Sequence, residues 1–213
     1  MEKIEGMFAN HTVYQGGLDL FRKVLTASKT ANSFYSRLCS PSGKENITFR
    51  TSSALGDGTE GLTQMYVLKG GTNDVDIDTF DFTNVTTSTP RTLRITEGEF
   101  FPNKYDKRKT AATLLHEFLV HGMPFETLFD SIRNGEGEEV MAAFWKKSRK
   151  SDNSGYKQHA LYGEGKTPEL DEILNGLGQP KNIGISNEDA TAILAELKKD
   201  IAYHKKNYQL EAA

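Results

Sequence analysis

The chain has 213 residues, 37% hydrophobic and 26% charged, enough for one domain (1–213) with a buried core and a solvated surface. A formal net charge of −3 excludes the overall basic excess typical of nucleic-acid-binding domains. The lone cysteine, Cys39, excludes an intramolecular disulfide and a cysteine-based zinc cluster, and reads as a small buried apolar residue.

The first stretch, "MEKIEGMFANHTVYQGG", lacks the basic start and apolar run of a secretory signal. No segment approaches the roughly 18 apolar residues of a membrane span. The expectation is a protein made in the cytoplasm, with any export or injection relying on a route that needs no cleavable signal.

From Gly17 to about Cys39, Leu18, Phe21, Leu25, Tyr35 and Leu38 share one helical face, but Ser28 and Asn32 weaken its middle. The pattern gives one long helix or two short ones. "NITFRTSS" alternates through Ile47 and Phe49 and predicts a strand, as do "LTQMYVLKGG" and "TLRITEGEFF". Asp74, Asp76 and Asp78 alternate with Val75 and Ile77. They lack the central glycine and distal glutamate of a calcium loop and read as the solvated face of a strand.

From Lys107 to about His121, Ala111, Leu114, Leu115, Phe118 and Leu119 form a wide apolar face, ended or kinked by Gly122 and Pro124. A short helix is predicted from Glu138 to Lys147. Ser186 and Asp189 resemble a capping box opening a last helix, which carries Ala190, Ile193, Leu194, Leu197 and Ile201. This order predicts an α+β fold with a small mixed or antiparallel sheet packed on helices.

The chemistry concentrates in "TLLHEFLVHGMPF", residues 113–125. A His-Glu-x-x-His helix puts both imidazoles on one face toward a metal, with the glutamate as base. Here the order is His116, Glu117, Phe118, Leu119, Val120, His121, one residue too many. On a regular α-helix five residues turn through about 500°, leaving the two imidazoles about 140° apart. A π-bulge would absorb the extra residue, or the helix could end near His121. Alternatively Glu117 and His121, four apart, could be the ligands themselves. A buried helix whose histidines only make core hydrogen bonds is the competing account.

"HEFLVHG" resembles the zincin metallopeptidases, in the variant with three residues between the glutamate and the second histidine. The dipeptidyl peptidase III family has that six-residue form, with glycine where this chain has Val120. Compact zincin domains of bacterial toxins and injected effectors are similar in size. The resemblance spans about Leu93 to Gly163. It implies a zincin-like fold with its active-site helix near 107–121, Zn2+ held by His116 and His121, and Glu117 as general base. It also implies a peptide or protein substrate, aligned by edge pairing with a strand before the helix, "TLRITEGEF".

A catalytic zinc usually takes three protein ligands and an open position. The resemblance points to Glu139 as the third, since Glu139 with Ala142 looks like a Glu-x-x-Ala pattern. His159, in "GYKQHALYGEG", is the rival ligand. If Glu139 binds the metal, His159, Tyr156 or Tyr162 would serve catalysis by holding the developing oxyanion. His11 lies near the terminus, and His204, within "AYHKKNY", reads as part of a solvated face.

Two other functions compete with the peptidase. One is a non-catalytic, zincin-like binding module, which the odd histidine spacing favours. The other is an α+β domain of unrelated role, although neither a phosphate-binding loop nor a Gly-x-Ser-x-Gly elbow is present.

Overall fold

A computed structural model describes residues 1–41, 45–55, 60–69, 73–76, 89–99, 106–131, 134–135 and 156–209, with backbone alone for 68, 69, 73–76 and 156. The strands are β1 (Glu2–Ile4), β2 (Glu45–Ser52), β3 (Gly61–Lys69), β4 (Asn73–Asp76) and β5 (Arg91–Gly98). They form a mixed sheet in the order β1-β2-β5-β3-β4, parallel from β1 to β5 and antiparallel from β5 to β4. The α+β expectation holds at this level.

Register sets out one face of the sheet in rows. Ile47, Leu93 and Met65 stand side by side, then Phe49, Ile95 and Thr63. All six are buried, which is the strand alternation read from the sequence. One expectation is corrected. The Leu93 strand is not at an edge: β5 is flanked by β2 and β3, so its ladder hydrogen bonds are already used on both sides. It cannot align a substrate by edge pairing.

The N-terminal helical stretch is divided. After a short turn of helix, α1 (Met7–Asn10), come α2 (Thr12–Leu25) and α3 (Lys29–Cys39). The break is chemical: Ser28 has extended φ/ψ and its hydroxyl accepts from the Ala31 N–H at 3.2 Å, capping α3. Cys39 is half-buried and unoxidised, and burial pushes its thiol up to about 11.

The site lies on α4, the turn that follows it, and two of the later helices. Helix α4 (Lys107–His116) is capped by Asp106, whose carboxylate accepts from Arg108 and Lys109 N–H at 2.8 and 3.0 Å. It passes without a break into a π-helical turn, Glu117–Gly122, and then α5 (Met123–Ser131). Helices α6 (Tyr156–Gly163), α7 (Pro168–Leu177) and α8 (Asn187–Asn207) follow. Ser186 caps α8 as the sequence suggests, accepting from Asp189 N–H at 3.0 Å.

The core joins these helices to the sheet. Phe118, from the π turn, sits in a ring cluster with Phe21, Phe34 and Tyr35 at 5.2–6.1 Å, and Phe21 in turn meets Phe49 of β2. Such pairs add about 0.5–1.5 kcal/mol each beyond their burial. The expected helix from Glu138 to Lys147, and with it Glu139, lies outside the described residues, as does Asp78. Asp74 and Asp76 lie in β4, the edge strand. Among the described residues no helix is long and apolar enough to cross a membrane.

Candidate metal centre

The extra residue between His116 and His121 is accommodated by the backbone. Met123 N–H donates to Phe118 C=O, an i→i+5 bond, so the turn after α4 is wider than an α turn. The wider turn returns His121 to the side of His116, and their ring centroids lie 5.4 Å apart. This turn is held by packing. Phe118 is locked in the aromatic cluster, and Gly122 lies flat against Leu93, which a β-carbon there would meet at 3.0 Å.

Helix α6 supplies a third imidazole. His159 Nε2 lies 3.0 Å from His121 Nε2, and its ring stacks with His116 at 5.5 Å. His116, His121 and His159 each offer a nitrogen within 4.8 Å of the others. A tetrahedral metal bound at 2.0–2.1 Å needs its nitrogens about 3.3 Å apart, so small side-chain shifts would suffice.

The three imidazoles differ electrically. Burial holds the His121 imidazole well below the usual histidine range, and the neighbouring His159, His116 and His204 reinforce this. Burial likewise lowers His159 to about 3. Both are therefore neutral, the state in which imidazole binds a metal. Burial would lower His116 too, but the Asp200 hydrogen bond and charge outweigh it and raise its pKa.

Helix α8 closes the cluster. Asp200 accepts from His116 Nδ1 at 2.7 Å and faces His204 Nδ1 at 3.1 Å. His204 is buried, at 7% exposure, with Nδ1 also 2.9 Å from the Asp200 carbonyl. The solvated face expected for His204 is thus corrected. Its neighbours Lys205 and Lys206 point outward while the i, i+4 pair Asp200–His204 points in. The Asp200 carboxyl loses solvent on burial, yet its two imidazole partners hold it well below the usual carboxylate range.

Glu117 turns the other way, toward the sheet. Its carboxylate accepts from Thr63 Oγ1 at 2.8 Å and lies over Gly61 of β3, in the space a β-carbon would fill. Glu117 is buried, and burial raises its pKa, opposed by the nearby His116 charge and the Thr63 bond. It is not in the imidazole cluster, so the geometry does not gather Glu117 and His121 as a ligand pair. Tyr162, buried, sets its ring edge-on to His116 at 5.1 Å, with no hydrogen bond of ordinary geometry at its hydroxyl.

Comparison with known protein families, with curated proteins and with solved structures gave no match.

Proposed function

We propose that the chain is a zinc-dependent peptidase, with Zn2+ held by His116, His121 and His159 and Glu117 as general base. The observation that carries this reading is the π-helical turn, which gathers two histidines that a regular helix would part. Three imidazoles gathered in a partly buried cluster suit zinc, with His121 and His159 already neutral and His116 giving up its proton on binding, and three protein ligands leave a coordination position open. His159 takes the third place here rather than Glu139, because its Nε2 already lies beside that of His121.

A zinc ion held there would supply Lewis-acid polarisation of the scissile carbonyl and make water acidic enough to react near neutral pH. Glu117 takes the proton from the attacking water and passes it to the leaving amine. Thr63 orients that carboxylate, and burial raises its basicity. The Gly61–Thr63 end of β3 extends beyond the Tyr66–Lys69 stretch that pairs with β4, beside Glu117 and with Leu62 exposed. An extended peptide pairing there would lie next to the base. The zincin likeness is proposed on the same ground, the helix-borne His-Glu pair with its second histidine returned to the side of the first.

A non-catalytic metal-binding module is the second reading, favoured by the tight seating of Glu117 against β3. Glu117→Gln separates the two. The peptidase reading expects a wild type with about one zinc per chain and hydrolysis of a peptide library, and a variant that keeps zinc but loses hydrolysis by about 10²–10⁴-fold. A wild type that holds zinc and cleaves nothing leaves the binding module standing.

A further inference from the structure

We infer that Asp200 is the positioning residue of this centre, a single carboxylate that clamps two imidazoles, His116 and His204. This rests on the metal-centre reading above and extends it to a helix that the sequence motif does not reach.

The two carboxylate oxygens are divided between the rings, Oδ2 to His116 Nδ1 at 2.7 Å and Oδ1 within 3.1 Å of His204 Nδ1, a nitrogen that also lies 2.9 Å from the Asp200 carbonyl. Each ring donates from Nδ1, which fixes its tautomer and leaves Nε2 as the nitrogen with a free lone pair. For His116, whose Nδ1 faces Asp200, Nε2 is then the nitrogen left to join His121 and His159 on a metal. The His204 ring lies 4.9 Å from His116 and 4.6 Å from His159, and Tyr162 flanks both His116 and His204. The clamped pair thus walls one side of the centre.

The fold brings the carboxylate there by tying two helices at their starts. Lys107 and Arg108, in the first turn of α4, bond Asp189 in the first turn of α8 at 3.0 and 2.8 Å. From those ties, His116 lies nine residues along α4 and Asp200 eleven along α8. At 1.5 Å per residue these are about 14 and 17 Å, so the two side chains meet.

His116, Asp200 and His204 also lie within ligand reach of one another. A second ion there would take His116 Nδ1, leaving Nε2 for the triad, and would displace the His116 hydrogen bond and the His204 contact from the carboxylate. The pairing favours a carboxylate acting through His116.

The test is zinc affinity, by competition with a chelator, for wild type, Asp200→Asn, His204→Gln and the double variant. Asp200→Asn is expected to bind about 10–100-fold more weakly, the usual cost of losing a carboxylate behind a ligand histidine. His204→Gln should lose less. The double variant should match Asp200→Asn within about twofold, because both changes break one clamp. Nitrogen-detected histidine spectra of the zinc-loaded wild type, which require no variant to fold, should show His116 and His204 both protonated at Nδ1. Unchanged affinity in Asp200→Asn overturns the clamp while leaving the centre intact. So does His116 bound through Nδ1, or a second equivalent of zinc that Asp200→Asn loses. A wild type that takes up no zinc overturns the centre and the clamp together.

Discussion

Two ends of the same sheet face are built on opposite rules. One end is the row Glu45–Arg91–Val67, the other Thr51–Glu97–Gly61, with two apolar rows between them. At the first end Arg91 is buried but fully engaged. Its Nε donates to Glu126 at 2.7 Å and its Nη2 to Glu126, Nη2 also forms an ion pair with Glu45 at 2.7 Å, and Phe129 lies under the guanidinium at 4.5 Å. Arg37 adds a bond to Glu45 at 2.8 Å and another to Glu126. At the second end Glu97 is equally buried, yet neither carboxyl oxygen has a hydrogen bond of ordinary geometry. Burial pushes it up to about 8, with Glu60 and Glu117 adding to the rise. A charge buried for the fold is matched inside the fold. The Glu97 carboxyl is left unmatched beside Glu117, the pattern that marks a candidate functional end rather than a stabilising one.

Breaking the matched end should have the largest effect. Arg91→Leu leaves Glu126 and Glu45 buried without their main cation, and a loss of about 3–5 kcal/mol is expected from chemical denaturation. A loss under about 1 kcal/mol would show that the network is not what stabilises this end. Zinc uptake by the folded fraction should be unchanged, because no histidine of the centre touches this network.

The unmatched end should respond in the opposite sense, and with pH. A carboxyl whose folded pKa is raised binds a proton that the unfolded chain has released. Its contribution is full below the ordinary carboxyl range and is lost as pH rises from about 4.5 to about 8. Glu97→Gln mimics the protonated form at every pH. It should match wild type near pH 4 and exceed it at pH 8 by up to about 4 kcal/mol. Urea melts at pH 4, 6 and 8 measure this, and parallel curves for the two proteins would refute it.

The sequence carries this asymmetry unevenly. Strand alternation and the apolar stripe of α4 are plain in it, because burial imposes periods that composition displays. The His-Glu stretch poses its question openly through the extra residue. The answer, a π turn, depends on Phe118 packing among Phe21, Phe34 and Tyr35 and on Gly122 against Leu93, contacts between segments far apart in the chain. Asp200 belongs to no motif and His204 reads as solvated, although the sequence holds a signal for both. The buried stripe Ile193, Leu197 continues at spacings of three and four through Asp200 and His204, and polarity there looked like the solvent side. Glu97 gives no local sign, since it is buried by segments far away in the chain, between Thr51 and Gly61 in the sheet.

A sharper probe of the functional end is Gly61→Ala. The new β-carbon would meet Glu117 Oε1 at 2.5 Å and its Cγ and Cδ at 2.7 and 2.8 Å. The carboxylate must move from β3, while the histidines keep their places. Zinc content is expected to stay near one per chain, and hydrolysis to fall at least about a hundredfold, or about 2.7 kcal/mol of barrier. Hydrolysis unaffected by the substitution would mean that the seat against Gly61 is not the working position of the base.

The mildest change tests how the functional end is held together. Gly163 of α6 lies so close to α8 that a β-carbon would run into the backbone nitrogen of Lys205 and come within 2.8 Å of its Cα. Backbone cannot swing aside as a side chain can, so Gly163→Ala must push the two helices apart, at about 1–3 kcal/mol. Gly163 is one turn beyond His159, and Lys205 follows His204. The same displacement therefore separates His159 from the wall formed by His204. Arg91→Leu should cost more stability and spare zinc affinity, whereas Gly163→Ala should cost less stability and weaken zinc. If chelator competition finds wild-type affinity in folded Gly163→Ala, the third nitrogen does not depend on the α6–α8 contact, and the grounds for preferring His159 to Glu139 weaken.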